Sequence, residues 1–125
     1  LKSKEEAVII NTTSSLGFVP LAGAAVYSAT KAALHSYTLS QRYMLKDTSV
    51  KILEIAPPGV QTYFNNDPSS MLLASFIDET MKVLGTDADE VLVEEVKVFR
   101  NNPGPNEGIF VNQLNNMMFE PPKGH

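Results

Sequence analysis

A short apolar run, a long stretch free of Gly and Pro, and a second apolar run follow one another in the first 56 residues. Ala7-Val8-Ile9-Ile10 is unbroken and rich in β-branched residues, which predicts a strand buried on both faces, as in a parallel sheet. From Tyr27 to Lys46 no Gly or Pro interrupts the chain, and Ala29, Ala32, Ala33, Leu34, Leu39, Met44 and Leu45 favour a helix. Val50 to Ala56 reads as a second strand, stopped by Pro57-Pro58-Gly59. Strand, long helix, strand is a βαβ crossover, which implies parallel pairing and a right-handed connection. The expected fold is α/β, a partial doubly wound, Rossmann-like parallel sheet followed by a helical C-terminal tail. All 125 residues form one domain on this reading, with residues 1–62 as the βαβ unit and 63–125 as the tail.

In the tail, Asp67-Pro68-Ser69 reads as a helix start, with Asp as the cap and Pro at the first helical position. Phe76, Ile77, Met81 and Leu84 follow at helical spacing, and Gly85 fits just past the end. A further helix is predicted from about Ala88 to Arg100, with Leu92, Val96 and Phe99 on one face. Asn101-Asn102-Pro103-Gly104-Pro105 ends it, and Ile109 to Phe119 reads as a last short helix. The Asn-Asn-Met-Met-Phe cluster at 115–119 reads as core or interface and receives no chemical role.

Composition removes several functions. Ten basic against 14 acidic residues give a net charge of −4, which argues against a nucleic-acid surface. Without cysteine there is no disulfide, thiolate metal site or Cys nucleophile, and with only His35 and His125 no His-rich metal site. The uncharged stretch from Ala7 to Thr30 is broken by Pro20, two glycines and the polar run Asn11–Ser15, so no membrane span is expected. No signal peptide is legible before it, and the expected compartment is the cytoplasm.

The chemistry lies in the first sixty residues. Tyr27 and Lys31 stand four apart, so both project from one face of the helix. A phenol needs help to exchange protons near neutral pH, and an ammonium one turn away favours the phenolate. Of the four tyrosines, only Tyr27 has a cation at that spacing, since Tyr37, Tyr43 and Tyr63 meet Gln41, Asp47 and Asp67. The bland alternative is a solvated helix face. Ser14 lies just past the first strand, at the carboxyl edge where doubly wound sheets bind ligands. Its hydroxyl suits a substrate carbonyl, and equally a turn or cap. Pro57-Pro58-Gly59-Val60-Gln61-Thr62 ends the second strand at the same edge.

Together these segments resemble the short-chain dehydrogenase/reductase family. Ile10-Asn11-Thr12-Thr13-Ser14-Ser15-Leu16-Gly17 is similar to the strand-loop carrying its catalytic Ser. Tyr27-Ser28-Ala29-Thr30-Lys31-Ala32-Ala33-Leu34 is similar to its Tyr-x-x-x-Lys helix. The step from Ser14 to Tyr27 agrees with the family, which favours Ser14 over Ser15. The resemblance implies that Tyr27 exchanges the proton, Ser14 holds the substrate oxygen, and Lys31 assists Tyr27 and bonds the nicotinamide ribose. It further implies contacts from Val60 (through its backbone) and Thr62 to the nicotinamide carboxamide. The implied reaction is hydride transfer between NAD or NADP and a small-molecule alcohol/carbonyl pair.

Three departures limit the resemblance. Pro57-Pro58 stands where the family has Pro-Gly, with the glycine one place later at Gly59. The family's late glycine-rich strand is not legible, and the helical tail stands in its place. No Gly-x-Gly spacing occurs, the glycines being at 17, 23, 59, 85, 104, 108 and 124, so a pyrophosphate has no Gly-rich turn to sit on. With a start at Leu1 rather than Met, the chain reads as the C-terminal catalytic half of such an enzyme. NAD or NADP then belongs to the parent, and the 125 residues alone are expected to bind no cofactor and to be inactive. The alternatives are a non-catalytic interaction module and a truncation product. Leu34, Tyr37, Leu39, Met44 and Leu45 either form a homo-oligomer face on the Tyr27–Lys46 helix or pack on the chain's own sheet.

Overall fold

In the computed structural model, residues 6–61, 65, 67–101 and 104–119 are described. Strands β1 (Ala7–Thr12) and β2 (Val50–Ile55) run parallel, in register from Ala7 opposite Val50 to Thr12 opposite Ile55. Helix α1 (Ala25–Met44) makes the crossover. The α/β parallel-sheet fold expected from the sequence is the fold found, with a third strand, β3 (Glu90–Val91), giving the order β1-β2-β3.

Polar groups as well as apolar ones fix α1 to the sheet. Asn11 on β1 donates from Nδ2 to Thr38 Oγ1 and to Gln41 Oε1, both at 3.0 Å. Arg42 donates from Nε and Nη2 to the Ile52 carbonyl at 3.3 and 3.2 Å. Buried polar groups are tolerable when paired in this way, and Thr38, fully buried, spends its own proton on the Leu34 carbonyl.

β1 is not buried on both faces. Val8 and Ile10 are 55% and 47% exposed, while Ile9 is half-buried. Among the described residues β1 pairs only with β2, so it forms one edge of the sheet, and nothing described covers its Val8–Ile10 face. β2, held between two neighbours, buries Val50, Ile52, Leu53 and Glu54.

The tail departs further from expectation. Helix α2 (Leu73–Leu84) begins five residues past Pro68. Asp67 Oδ1 accepts the Ser69 N–H at 2.9 Å and the Ser69 hydroxyl at 2.8 Å, which closes a side-chain turn instead of a helix cap. Gly85 does end α2, its N–H donating to the Met81 carbonyl. The helix expected from Ala88 is replaced by β3 followed by α3 (Glu94–Arg100). β3 extends the sheet in parallel, Glu90 opposite Glu54 and Val91 opposite Ile55. The run Val91-Leu92-Val93 is buried at the second edge of β2, and that ladder outweighs a helical spacing read from three residues. Helix α4 (Glu107–Phe119) begins two residues before the expected Ile109.

The core gathers at the carboxyl ends of the strands. Phe18 and Val19 follow β1, Ala56 follows β2, and Leu92, Val93 and Val96 follow β3. Phe76 of α2, Phe99 of α3, and Phe110, Val111 and Leu114 of α4 pack against them. On α1, Leu34 is partly buried, as is Leu45 just past its end, while Tyr37, Leu39 and Met44 are exposed. No helix among the described residues is long and apolar enough to cross a membrane.

Candidate active site

The parallel ladder continues past the named strands and sets the height of the loop bearing Ser14. The Thr13 N–H donates to the Ile55 carbonyl at 2.8 Å and the Ser15 N–H to the Pro57 carbonyl at 3.0 Å. Ser14, between them, is extended and buried, and its Oγ accepts the Leu16 N–H at 3.1 Å as the cap of a single 3₁₀ turn. The cap role weighed from sequence is therefore realised. It uses an oxygen lone pair, so the hydroxyl proton remains available to a ligand.

Gly17, at the end of that turn, fixes the loop sideways. A Cβ there would lie 3.1 Å from the Lys31 carbonyl carbon and oxygen and 3.3 Å from the Ala32 nitrogen. Only glycine lets the loop rest on the α1 backbone at the turn carrying Lys31. The buried Ser28 adds a second tie, its Oγ accepting the Leu21 N–H at 3.2 Å.

Tyr27 and Lys31 occupy the first two turns of α1. Lys31 Nζ donates to the Thr12 carbonyl at the end of β1, 3.3 Å away, and lies 5.6 Å from the Tyr27 ring centroid. Tyr27, half-exposed, and Ser14 line one cleft of about 510 Å³, a size suited to a small molecule. Pro58 and Gly59 line it from the end of β2, with Glu95, Leu114, Met117 and Met118 from the tail. Val60 stands one residue beyond, bridged to Met71, with its carbonyl accepting Asn65 Nδ2 at 3.0 Å. Thr62 lies outside the described residues.

A group that sequence reasoning passed over sits directly behind Ser14. Glu54 on β2 has no exposed surface. Its Oε2 accepts the Thr13 hydroxyl at 2.7 Å, and both carboxylate oxygens face His35 Nδ1 at 2.7 and 2.9 Å. His35 follows Lys31 by four residues and Tyr27 by eight, so one carboxylate ties β2, the Ser14 loop and the Tyr27–Lys31 face of α1 together. The His35 ring also meets Phe18 edge-on at 5.0 Å, and the Arg100 guanidinium lies over the Phe18 ring, 5.3 Å from its centroid. The available signal was an acidic residue inside an apolar strand run, which demands a buried partner.

The His35, Glu54 and Glu90 ligand atoms lie within 4.8 Å of one another. They are already engaged: Arg100 holds both Glu90 oxygens, at 2.8 and 3.2 Å. Those hydrogen bonds, more than the charge beside them, raise the Arg100 pKa. A metal would have to displace a bidentate guanidinium, so the grouping is read as a structural network.

Comparison with known proteins agrees with the α/β parallel-sheet fold. The family model described as short chain dehydrogenase matches residues 1–72. The uncharacterized oxidoreductase DltE of Bacillus subtilis is 54% identical over 65 residues, 52% of this chain and 26% of that protein. The NADPH-dependent 1-acyldihydroxyacetone phosphate reductase of Schizosaccharomyces pombe is 33% identical over 76 residues, 61% of this chain and 26% of that protein. A short chain dehydrogenase from Burkholderia cenocepacia, solved in complex with NADP, superposes with a TM-score of 0.77 at 26% identity. That alignment covers 91% of this chain and 50% of the other, so the chain spans about half the length of this solved relative.

Proposed function

The chain belongs to the short chain dehydrogenase family, and from that premise we propose that it carries the proton-handling half of an NAD(P)-dependent alcohol/carbonyl oxidoreductase. Residues 1–62 form the catalytic βαβ unit on this reading, and 63–125 form the substrate side. The observation that carries the proposal is the convergence of Ser14 and Tyr27 on one cleft, with Lys31 braced beside Tyr27 on the Thr12 carbonyl.

Ser14 donates its free hydroxyl proton to the substrate oxygen, which its cap bond to Leu16 leaves it able to do. Tyr27 gives a proton to that oxygen when a carbonyl is reduced and takes it back when an alcohol is oxidised. Lys31, braced on the Thr12 carbonyl, stands beside the Tyr27 ring, 5.6 Å from its centroid, and assists it from there. Glu54, through Thr13 and His35, keeps Ser14 in step with the helix and touches no reactant.

The donor set fits the nicotinamide end of a dinucleotide. Lys31 has N–H groups beyond the one spent on Thr12, suited to ribose hydroxyls, and Val60 and Thr62 are the proposed carboxamide contacts. A nicotinamide bound there supplies or accepts the hydride. The chain has no Gly-x-Gly spacing to hold a pyrophosphate, so these 125 residues alone are proposed to bind cofactor poorly and to turn over little.

Homo-oligomerisation through α1 accompanies this reading. Tyr37 and Met44, seven residues apart, stand exposed on one side of that helix, a surface whose burial favours self-association.

The test is Tyr27→Phe in the protein as the cell makes it, assayed by NAD(P)H consumption with carbonyl substrates. Loss of turnover with an unchanged fold is expected. Full turnover without the phenolic hydroxyl overturns the proposal.

A further inference from the structure

The tail wall of the cleft carries information about the substrate that the catalytic residues do not. Asn115 ties helix α4 to the segment that leads into α1. Its Oδ1 accepts the Ala22 N–H at 2.6 Å, and its Nδ2 donates to the Pro20 carbonyl at 3.0 Å and the Val111 carbonyl at 2.8 Å. Both amide hydrogens and the carbonyl are thereby used, which fixes the amide orientation and the register of the helix. The residues that follow, Met117 and Met118, line the cleft with Leu114 and remain 80% and 57% exposed. Two exposed methionines on a pinned helix present a polarizable, adaptable apolar surface to whatever enters.

The cleft lining is also acidic. Asp67 and Glu95 line the cleft, and none of the described lining residues is basic. Lys31 is directed to the Thr12 carbonyl and is not a lining residue. The Ser69 N–H, and then its hydroxyl, hold the Asp67 carboxyl below its ordinary pKa, so it is charged throughout the neutral range.

We propose that the cleft selects an uncharged carbonyl or alcohol compound with an apolar body, and discriminates against carboxylated or phosphorylated ones. The apolar body lies on Leu114, Met117 and Met118, and the reacting oxygen lies at Ser14 and Tyr27. This rests on the oxidoreductase reading for the position of the oxygen, while the apolar wall and the acidic lining stand without it.

The test follows methyl resonances of the full 125-residue chain labelled at its five methionines, titrated with 2-octanone and with octanoate. Met81, exposed on α2, serves as the internal control for unspecific apolar binding. The ketone is expected to shift Met117 and Met118 saturably and to leave Met81 in place. Octanoate is expected to bind about fivefold more weakly at low salt, with the gap closing near about 0.5 M salt. The double substitution D67N/E95Q should close it too, because the carboxamide oxygen introduced in place of the Asp67 carboxylate still accepts from Ser69 and preserves the turn. M117Q/M118Q should weaken the ketone about tenfold, by loss of apolar contact. Equal or tighter octanoate binding, or uniform shifts at all exposed methionines, overturns the proposal. Turnover that survives Tyr27→Phe would defeat the oxidoreductase reading while leaving the methionine shifts intact. Silent methyls beside a Tyr27-dependent turnover would defeat only this inference.

Discussion

His35 Nδ1 lies 2.7 Å from one oxygen of Glu54 and 2.9 Å from the other, with the carboxylate wholly buried. Removing one partner leaves the wholly buried Glu54 side chain short of a hydrogen bond, so His35→Ala is expected to cost about 1–3 kcal/mol in denaturant unfolding. Replacing all three polar groups together, as T13V/H35L/E54L, should cost less than the single change, because no unpaired group remains. Additive losses would show that the network acts as separate contacts.

Gly17→Ala tests the seat of the Ser14 loop on α1. The added methyl meets backbone atoms of Lys31 at 3.1 Å, which cannot rotate away as a side chain could. Destabilisation of about 1–3 kcal/mol is expected, with larger amide shifts at Ser14 and Lys31 than at α2. An unperturbed spectrum would mean that the loop yields freely.

Tyr27→Phe in the protein as the cell makes it is expected to lower turnover by about 10²- to 10⁴-fold, the usual contribution of a positioned acid or base. Its melting temperature should hardly move, because the side chain is half-exposed. Cofactor titration of the isolated 125 residues by calorimetry should give no micromolar affinity for NAD or NADP.

Acid should open the Asp67 turn before the sheet. The Asp67 pKa is depressed in the folded chain by the Ser69 N–H and hydroxyl. A depressed carboxylate contributes stability that is complete above its unfolded pKa, about 4, and is lost as pH falls through the lower folded value. The Ser69 amide resonance should therefore move below about pH 4 and stay constant from there to neutrality. In Asp67→Ala that transition should vanish.

The α1 face gives a prediction about assembly. Tyr37→Asp with Met44→Asp places charge on an exposed apolar face, so sedimentation should shift from oligomer to monomer with the fold retained. An identical sedimentation coefficient would place any self-association elsewhere.

The parts of the molecule legible in the sequence are those written in short-range patterns. β1, α1 and β2 follow from apolar runs and a helix without breakers, while of the candidate site residues Tyr27 and Lys31 follow from a four-residue spacing and Ser14 from the family resemblance. Glu54 is not legible because its partners Thr13 and His35 are 41 and 19 residues away, where no periodic signal reaches. β3 escapes because two residues have no period, and only the open edge of β2 makes them a strand. The start of α2 is ambiguous because Asp67 can cap a helix or close a turn, and Ser69 decides between them through its N–H and hydroxyl. The exposed Val8–Ile10 face is not legible either, since burial depends on what lies beyond a strand.

The bonds from Asn115 to Pro20 and Ala22 bridge 95 and 93 residues of chain. The βαβ unit closes over far shorter separations, so it forms without waiting for the C-terminal helix, whereas the cleft wall must first overcome the entropy of that long loop. The tail wall of the candidate cleft is thus expected to assemble after the βαβ unit and to open before it. Loss of the final helix would release the loop beside Ser14 while the sheet persists, leaving a chain that is folded by circular dichroism yet has no enclosed place for a ligand.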